Sequence, residues 1–284
     1  MKPARATQYP DRELQAARSV LIELGVLLKD VQDRIVLIGG FVPWLTLEGE
    51  PPHVGTLDVD LNFDLEAFAE LEASTVIARL ERAGYERGSV PRMPFRLRRW
   101  VVQGDSDGVT LEPISVSVDL LAPQTLGDNT VVGWNDPSIG MPMQGAIGSH
   151  LALRSNRTIT LQGITPNGER HTVTWRVASL AALLVMKGHA MSDTRAKDAY
   201  DIYYVLRHAE RNSLIESCRA LAGDPVAATA YARIAAHFRA DDDLGPQWVA
   251  SFLLDSSALG DSTEEQVMQE AFQRVRAWSN ALGL

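Results

Sequence analysis

With 284 residues, 45% of them hydrophobic, the chain can fill one large core or two modest ones. Its longest apolar runs, Val36 to Gly40 and Leu180 to Met186, fall far short of the roughly 20 residues that span a bilayer, so the expectation is a soluble, cytoplasmic protein with no membrane partner. A single cysteine, Cys218, excludes an internal disulfide and a cysteine-rich zinc site, and a formal net charge of −9 argues against a protein that coats nucleic acid non-specifically.

Residues 11 to 30 carry Leu14, Ala17, Leu21, Leu24 and Leu28 at helical spacing, which predicts a helix leading into a strand over Arg34 to Ile38. Gly39-Gly40 stops that strand, and Phe41 to Leu47 reads as a short helix with Pro43 in its first turn. A second strand is predicted over Thr56 to Asp64 and an amphipathic helix over Leu65 to Ala83. The segment Arg92 to Trp100 gathers Arg92, Arg96, Arg98 and Arg99 beside Phe95 and Trp100. It could hold phosphates while a base stacks, or be an ordinary solvated strand or loop. Between Glu112 and Ala122, Ile114, Val116, Val118 and Leu120 alternate with Ser115, Ser117 and Asp119, the pattern of a third strand. Two further strand-like runs, Thr158 to Leu161 and Thr172 to Val177, flank Pro166-Asn167-Gly168 and predict a hairpin. From Ser179 onward the chain reads as helices. The expected division is a core over residues 1–155 and a hairpin-plus-helix lobe over 156–284.

The chemistry concentrates in the second strand. Period-two geometry puts Asp58, Asp60, Asn62 and Asp64 on one face and Val59, Leu61 and Phe63 on the other. Carboxylates two residues apart have α-carbons roughly 6.6 Å apart, close enough for both to grip metal ions, and Mg²⁺ suits all-oxygen ligands while leaving positions open for substrate. Asp119 on its own strand is a candidate third carboxylate, either a metal ligand or the base for an attacking hydroxyl. Gly39-Gly40, closing a strand and opening a helix, is the kind of turn whose backbone N–H groups cradle phosphate. In the helical half, Lys187 shares a face with Leu180, Leu183 and Leu184, so it points inward, where a cleft would bring it to triphosphate. Asp198 lies on an apolar edge with Ile202, Val205 and Ala209. Its partner is Arg195, Lys187, or a catalytic metal or hydroxyl.

Taken together these segments resemble the AbiE-type toxin nucleotidyltransferases, a branch of the DNA polymerase β-like superfamily. The likeness lies in Ile38-Gly39-Gly40-Phe41, Thr56-Leu57-Asp58-Val59-Asp60-Leu61, Val118-Asp119-Leu120, Lys187, and Arg195-Ala-Lys-Asp198-Ala-Tyr-Asp201-Ile-Tyr-Tyr204. It implies an α+β fold in which a polymerase β-like mixed sheet with flanking helices is joined to a mainly helical C-terminal lobe that contributes Lys187 and Asp198 to the cleft. It also implies transfer of nucleotides from a nucleoside triphosphate, dependent on Mg²⁺ or Mn²⁺. Asp58, Asp60 and Asp119 would hold metal, Gly39, Gly40, Thr56 and Lys187 would bind the nucleotide, and Asp198 would assist. A tRNA 3′ end would be the acceptor and a cognate antitoxin a partner. The long connection from Phe41 to Leu57, with Pro51-Pro52, departs from the family pattern. The competing readings keep the scaffold but give it a small-molecule or protein acceptor, or make it a catalytically silent binding protein.

Overall fold

Strand β1 (Ile35–Ile38) is buried on both faces, so it needs a neighbour on each edge and a layer above and below, and the sheet is built around it. The computed structural model describes residues 3–68, 73–88, 93, 95–102, 111–124, 143–254, 256 and 259–284. In chain order the first elements are α1 (Asp11–Leu27), β1 (Ile35–Ile38), α2 (Phe41–Thr46), β2 (Asp58–Phe63), α3 (Leu65–Phe68), α4 (Ala73–Arg82), β3 (Tyr85–Arg87), β4 (Arg96–Val101) and β5 (Ile114–Gln124). Then follow β6 (Gln144–Ile147), α5 (Ser149–Arg154), β7 (Asn156–Ile164), β8 (Arg170–Ala178) and six helices. These are α6 (Leu180–Ala190), α7 (Ala196–His208), α8 (Arg211–Leu221), α9 (Pro225–Ala236), α10 (Leu244–Leu253) and α11 (Glu264–Leu282). The chain is α+β, a mixed sheet with flanking helices and a helical C-terminal region, and no described helix is long and apolar enough to cross a membrane.

One compact unit comprises Asp11–Gly39 and Thr56–Ala178. Its sheet runs in the order β3-β4-β5-β2-β1-β8-β7, with β6 paired to β5. β2 lies antiparallel to β1 and parallel to β5. Helix α1 covers the face made by Val59, Leu61, Val118, Leu120, Leu97 and Trp175, all buried. Trp175 Nε1 donates to the Leu21 carbonyl at 3.3 Å. Burying one such aromatic or aliphatic side chain stabilises by about 1.5–3 kcal/mol.

The second unit comprises residues 1–10, 40–55 and 179–284. Its centre is α6, capped by Ser179, whose side chain accepts from the Ala182 N–H at 3.1 Å. Ala181, Ala182, Leu183, Leu184 and Val185 are all fully buried, which is the mark of a helix enclosed on every side. It packs against α7, α8 and α9.

The sequence expectations meet this arrangement unevenly. The helix expected over Leu65 to Ala83 is α3 and α4, with residues 69–72 outside the described set. The hairpin grouped by sequence with the C-terminal half hydrogen-bonds into the sheet, with Leu37 of β1 paired to Val177 of β8. Val173, Trp175 and Val177 supply the apolar face that β1 requires at that edge. Both units are therefore discontinuous in sequence. The arginine segment contains β4, one strand in from the sheet edge and paired on both sides, to β3 and β5.

Candidate metal and nucleotidyl-transfer site

Strands β2 and β5 run side by side with Asp60 opposite Asp119 and Asp58 opposite Ser117. Since paired residues on neighbouring strands face the same way, all three carboxylates project from one face of the sheet. Candidate ligand oxygens of Asp58, Asp60 and Asp119 lie within 4.8 Å of one another. Asp60 and Asp119 are 8% and 4% exposed, and Asp58 is half-buried. Thr56 Oγ1 donates to Asp58 Oδ1 at 2.6 Å, which fixes the orientation of that carboxylate. Three hard oxygen donors converging from rigid strands suit Mg²⁺ or Mn²⁺.

Gly39 closes against this group. It has φ of 73°, and a Cβ placed there would sit 1.9 Å from Asp60 Oδ2. The sequence read Gly39-Gly40 as a phosphate cradle. The structure supplies a different need for the first glycine, because the Asp60 carboxylate occupies the space of a side chain. Gly40 has ordinary helical φ and begins the six-residue α2 without a side-chain cap.

Arg96 of β4 is paired in register with Asp119 and grips it with two bonds, Nε to Oδ1 at 2.6 Å and Nη2 to Oδ2 at 2.7 Å. That bond to Asp119 raises the guanidinium's proton affinity despite its burial, and the nearby Asp58 and Asp60 add to the effect. Each carboxylate oxygen has a second lone pair, so Asp119 can serve Arg96 and a metal together. Arg99 projects from the opposite face to Glu23 at 2.8 and 2.9 Å, and Tyr85 donates to the same carboxylate at 2.8 Å. The four arginines are thus not one patch: Arg96 and Arg99 hold carboxylates on opposite faces, and Arg92 lies outside the described residues. Arg98 shares the face of Arg96 and has no ion-pair partner among the described residues.

Lys187 and Asp198 meet in a second cluster, wholly within the helical unit. Lys187 Nζ lies 2.6 Å from Asp198 Oδ1 and 2.5 Å from Asp201 Oδ2. Arg195 completes Asp198 at 2.5 Å, and Lys197 reaches Asp201 at 3.0 Å. His53 Nε2 donates to Asp201 at 2.9 Å, and His53 Nδ1 accepts from the Gly55 N–H at 3.1 Å. Burial pushes Asp201 up, but Lys187 and Lys197 hold it well below the usual carboxylate range. Asp198 therefore has two of the partners considered from sequence, Arg195 and Lys187. His53 and Asp201 were not singled out there, although a lone histidine in a proline-rich loop and the second aspartate of the quoted helix motif were visible signals.

His53 is itself lowered to about 4 by burial, against the raising effect of its Asp201 bond. In the unfolded chain it protonates near 6.5, so the unfolded state takes up the proton first. Stability present above pH 6.5 is expected to fall by on the order of 3 kcal/mol as pH drops through 4. Urea unfolding at stepped pH should show a steeper slope in the wild type than in His53→Asn, which keeps only the smaller contributions of groups such as His189 and His208, also lowered by burial; equal slopes would remove His53 as the cause.

No protein-family profile matches the chain, and no curated protein matches it in sequence. Two crystal structures from Helicobacter pylori are similar to it along most of its length. One, a proposed nucleotidyltransferase, is 11% identical, covering 96% of this chain and 97% of that one, with a TM-score of 0.44. The other, JHP933, is 10% identical, covering 96% and 94%, with a TM-score of 0.40.

Proposed function

We propose that the chain is a divalent-metal-dependent nucleotidyltransferase, moving a nucleoside monophosphate from a nucleoside triphosphate to an acceptor hydroxyl with release of pyrophosphate. The observation that carries this reading is the convergence of Asp58, Asp60 and Asp119 from two adjacent parallel strands, with ligand oxygens within 4.8 Å. A carboxylate set of that span can hold ions about 3.5–4 Å apart, the spacing of two-metal phosphoryl-transfer sites, and bound metal would stabilise charge on the oxygens entering and leaving phosphorus. Asp58 and Asp60 are the principal ligands, Thr56 orients Asp58, and Asp119 adds the lone pairs that Arg96 leaves open. Lys187 and Asp198 tie α6 to α7 through their ion pair.

The motif resemblance to AbiE-type toxins supports the reading and makes a tRNA 3′ end the first acceptor to try, with an antitoxin as the corresponding partner. A second reading, transfer to a small molecule or a protein hydroxyl, is favoured by the net charge of −9. Against it stands the carboxylate face itself, where Arg98 and the 42% exposed Trp100 continue the strip beyond Arg96. Trp100 Nε1 donates to Glu86 at 3.1 Å, which fixes the ring. An arginine beside a stackable indole suits a polynucleotide acceptor.

The test is incubation of the protein with Mg²⁺, total tRNA and each α-labelled triphosphate in turn, beside Asp58→Ala. Label should enter RNA with the wild type only, and Arg98→Ala should lower the salt dependence of RNA affinity by about one phosphate contact. Label in RNA with Asp58→Ala would overturn the site. Mg²⁺-dependent triphosphate binding without labelled RNA would turn the search to the second reading.

A further inference from the structure

Resting on the nucleotidyl-transfer reading, we infer that the acceptor is a single-stranded polynucleotide end, laid across β5 and β4 with the phosphate of its terminal nucleotide on Arg98 and its penultimate base stacked on Trp100. Register places these pieces. Asp58 of β2 is opposite Ser117 of β5, and Ser117 is opposite Arg98 of β4. Two residues further along the same strands, Ser115 stands opposite Trp100. Paired residues, and residues two apart on a strand, share a face, so Ser115, Ser117, Arg98 and Trp100 lie on the face that carries Asp58, Asp60 and Asp119. Ser115 and Trp100 are exposed there, and Ser117 and Arg98 are half-buried.

The spacing suits a nucleotide chain. Neighbouring strands lie roughly 4.8 Å apart, which puts the α-carbon of Arg98 roughly 10 Å from that of Asp58, and Trp100 follows one step of roughly 6.6 Å along β4. One extended nucleotide covers about one such step. A chain whose terminal hydroxyl reaches the carboxylates therefore brings its nearest phosphate to Arg98, which has no ion-pair partner among the described residues, and the preceding base to Trp100. Glu86 pairs with Arg98 on the side away from β5 and accepts from Trp100 Nε1 at 3.1 Å, so the indole is held while 42% of it stays exposed. A base inside a duplex is already stacked by its neighbours; an unpaired one can stack on an aromatic side chain, whichever base it is.

A single-stranded RNA hexamer tagged at its 5′ end with fluorescein is the probe, titrated by anisotropy into the full-length protein with Mg²⁺ and no triphosphate. The wild type should bind it, and should bind a blunt hairpin with the same last two nucleotides at least about tenfold more weakly. Trp100→Ala should weaken hexamer binding at least about fivefold, while Trp100→Phe, which keeps a ring, should stay within about twofold of wild type. An abasic penultimate nucleotide should cost the wild type at least about fivefold and cost Trp100→Ala nothing further, since base and ring are the two ends of one contact.

An abasic penalty that persists in Trp100→Ala, or that falls at a different nucleotide, would overturn the placement. A hairpin bound as tightly as the hexamer would overturn the single-stranded acceptor, and so would a wild type that does not bind the hexamer. The transfer reading fails separately: hexamer bound with the expected pattern, but no Mg²⁺-dependent triphosphate binding, would remove that reading and leave the binding face.

Discussion

Asp201→Ala is expected to destabilise the protein by about 3–5 kcal/mol, the range for breaking a buried ion pair from one side. Asp201 is fully buried and accepts from Lys187, Lys197 and His53, at 2.5, 3.0 and 2.9 Å. Its removal leaves Lys197 and His53 without that acceptor in a place where neither is more than 8% exposed. Asp198→Ala should cost less, because Lys187 retains Asp201 and Arg195, 39% exposed, turns to solvent. Lys187→Met, which fills the same volume without charge, should fall below Asp201→Ala while leaving triphosphate affinity unchanged. Urea unfolding of the three variants checks the order. A cost below about 1 kcal/mol for Asp201→Ala would mean that the network is hydrated in solution. Loss of triphosphate affinity in Lys187→Met would return that lysine to the nucleotide.

The same cluster shows where sequence reasoning stops. Periodicity correctly turned Lys187 inward on α6, but a period fixes a face and not a partner, and the face opens onto Asp198 and Asp201. Asp58, Asp60 and Asp119 were legible because alternation along a strand is local, and the register of β2 against β5 then needed only to be parallel and in step. Arg96 was visible as one of four arginines. That it faces Asp119 while Arg99 faces Glu23 follows from the pairing of β4 with β5, which is a long-range fact with no local trace. The hairpin of β7 and β8 was legible from Pro166-Asn167-Gly168, yet its place beside β1 depends on a parallel pairing across more than a hundred residues.

Gly39→Ala should weaken metal binding at least about a hundredfold, with a backbone cost that can be measured separately. At φ of 73° an alanine carries roughly 1–2 kcal/mol of left-handed strain, and its methyl would also lie 1.9 Å from Asp60 Oδ2. No contact that short persists, so either the turn or the Asp60 carboxylate must move, and Asp60 is held on a strand bonded on both sides. Gly168, in the β7–β8 turn, has φ of 86° and nothing within 4 Å of its Cβ position. Gly168→Ala therefore reports the conformational strain alone. The expected result is a modest stability loss in both variants, larger in Gly39→Ala, with Mn²⁺ affinity and nucleotidyl transfer lowered at least about a hundredfold only in Gly39→Ala, as for a reacting group displaced by about 1 Å. If Gly39→Ala loses no more stability than Gly168→Ala and still binds Mn²⁺, the Asp60 carboxylate does not occupy that space in solution. The glycine would then serve the chain reversal alone, and the phosphate-cradle role suggested by sequence would again be the one to test.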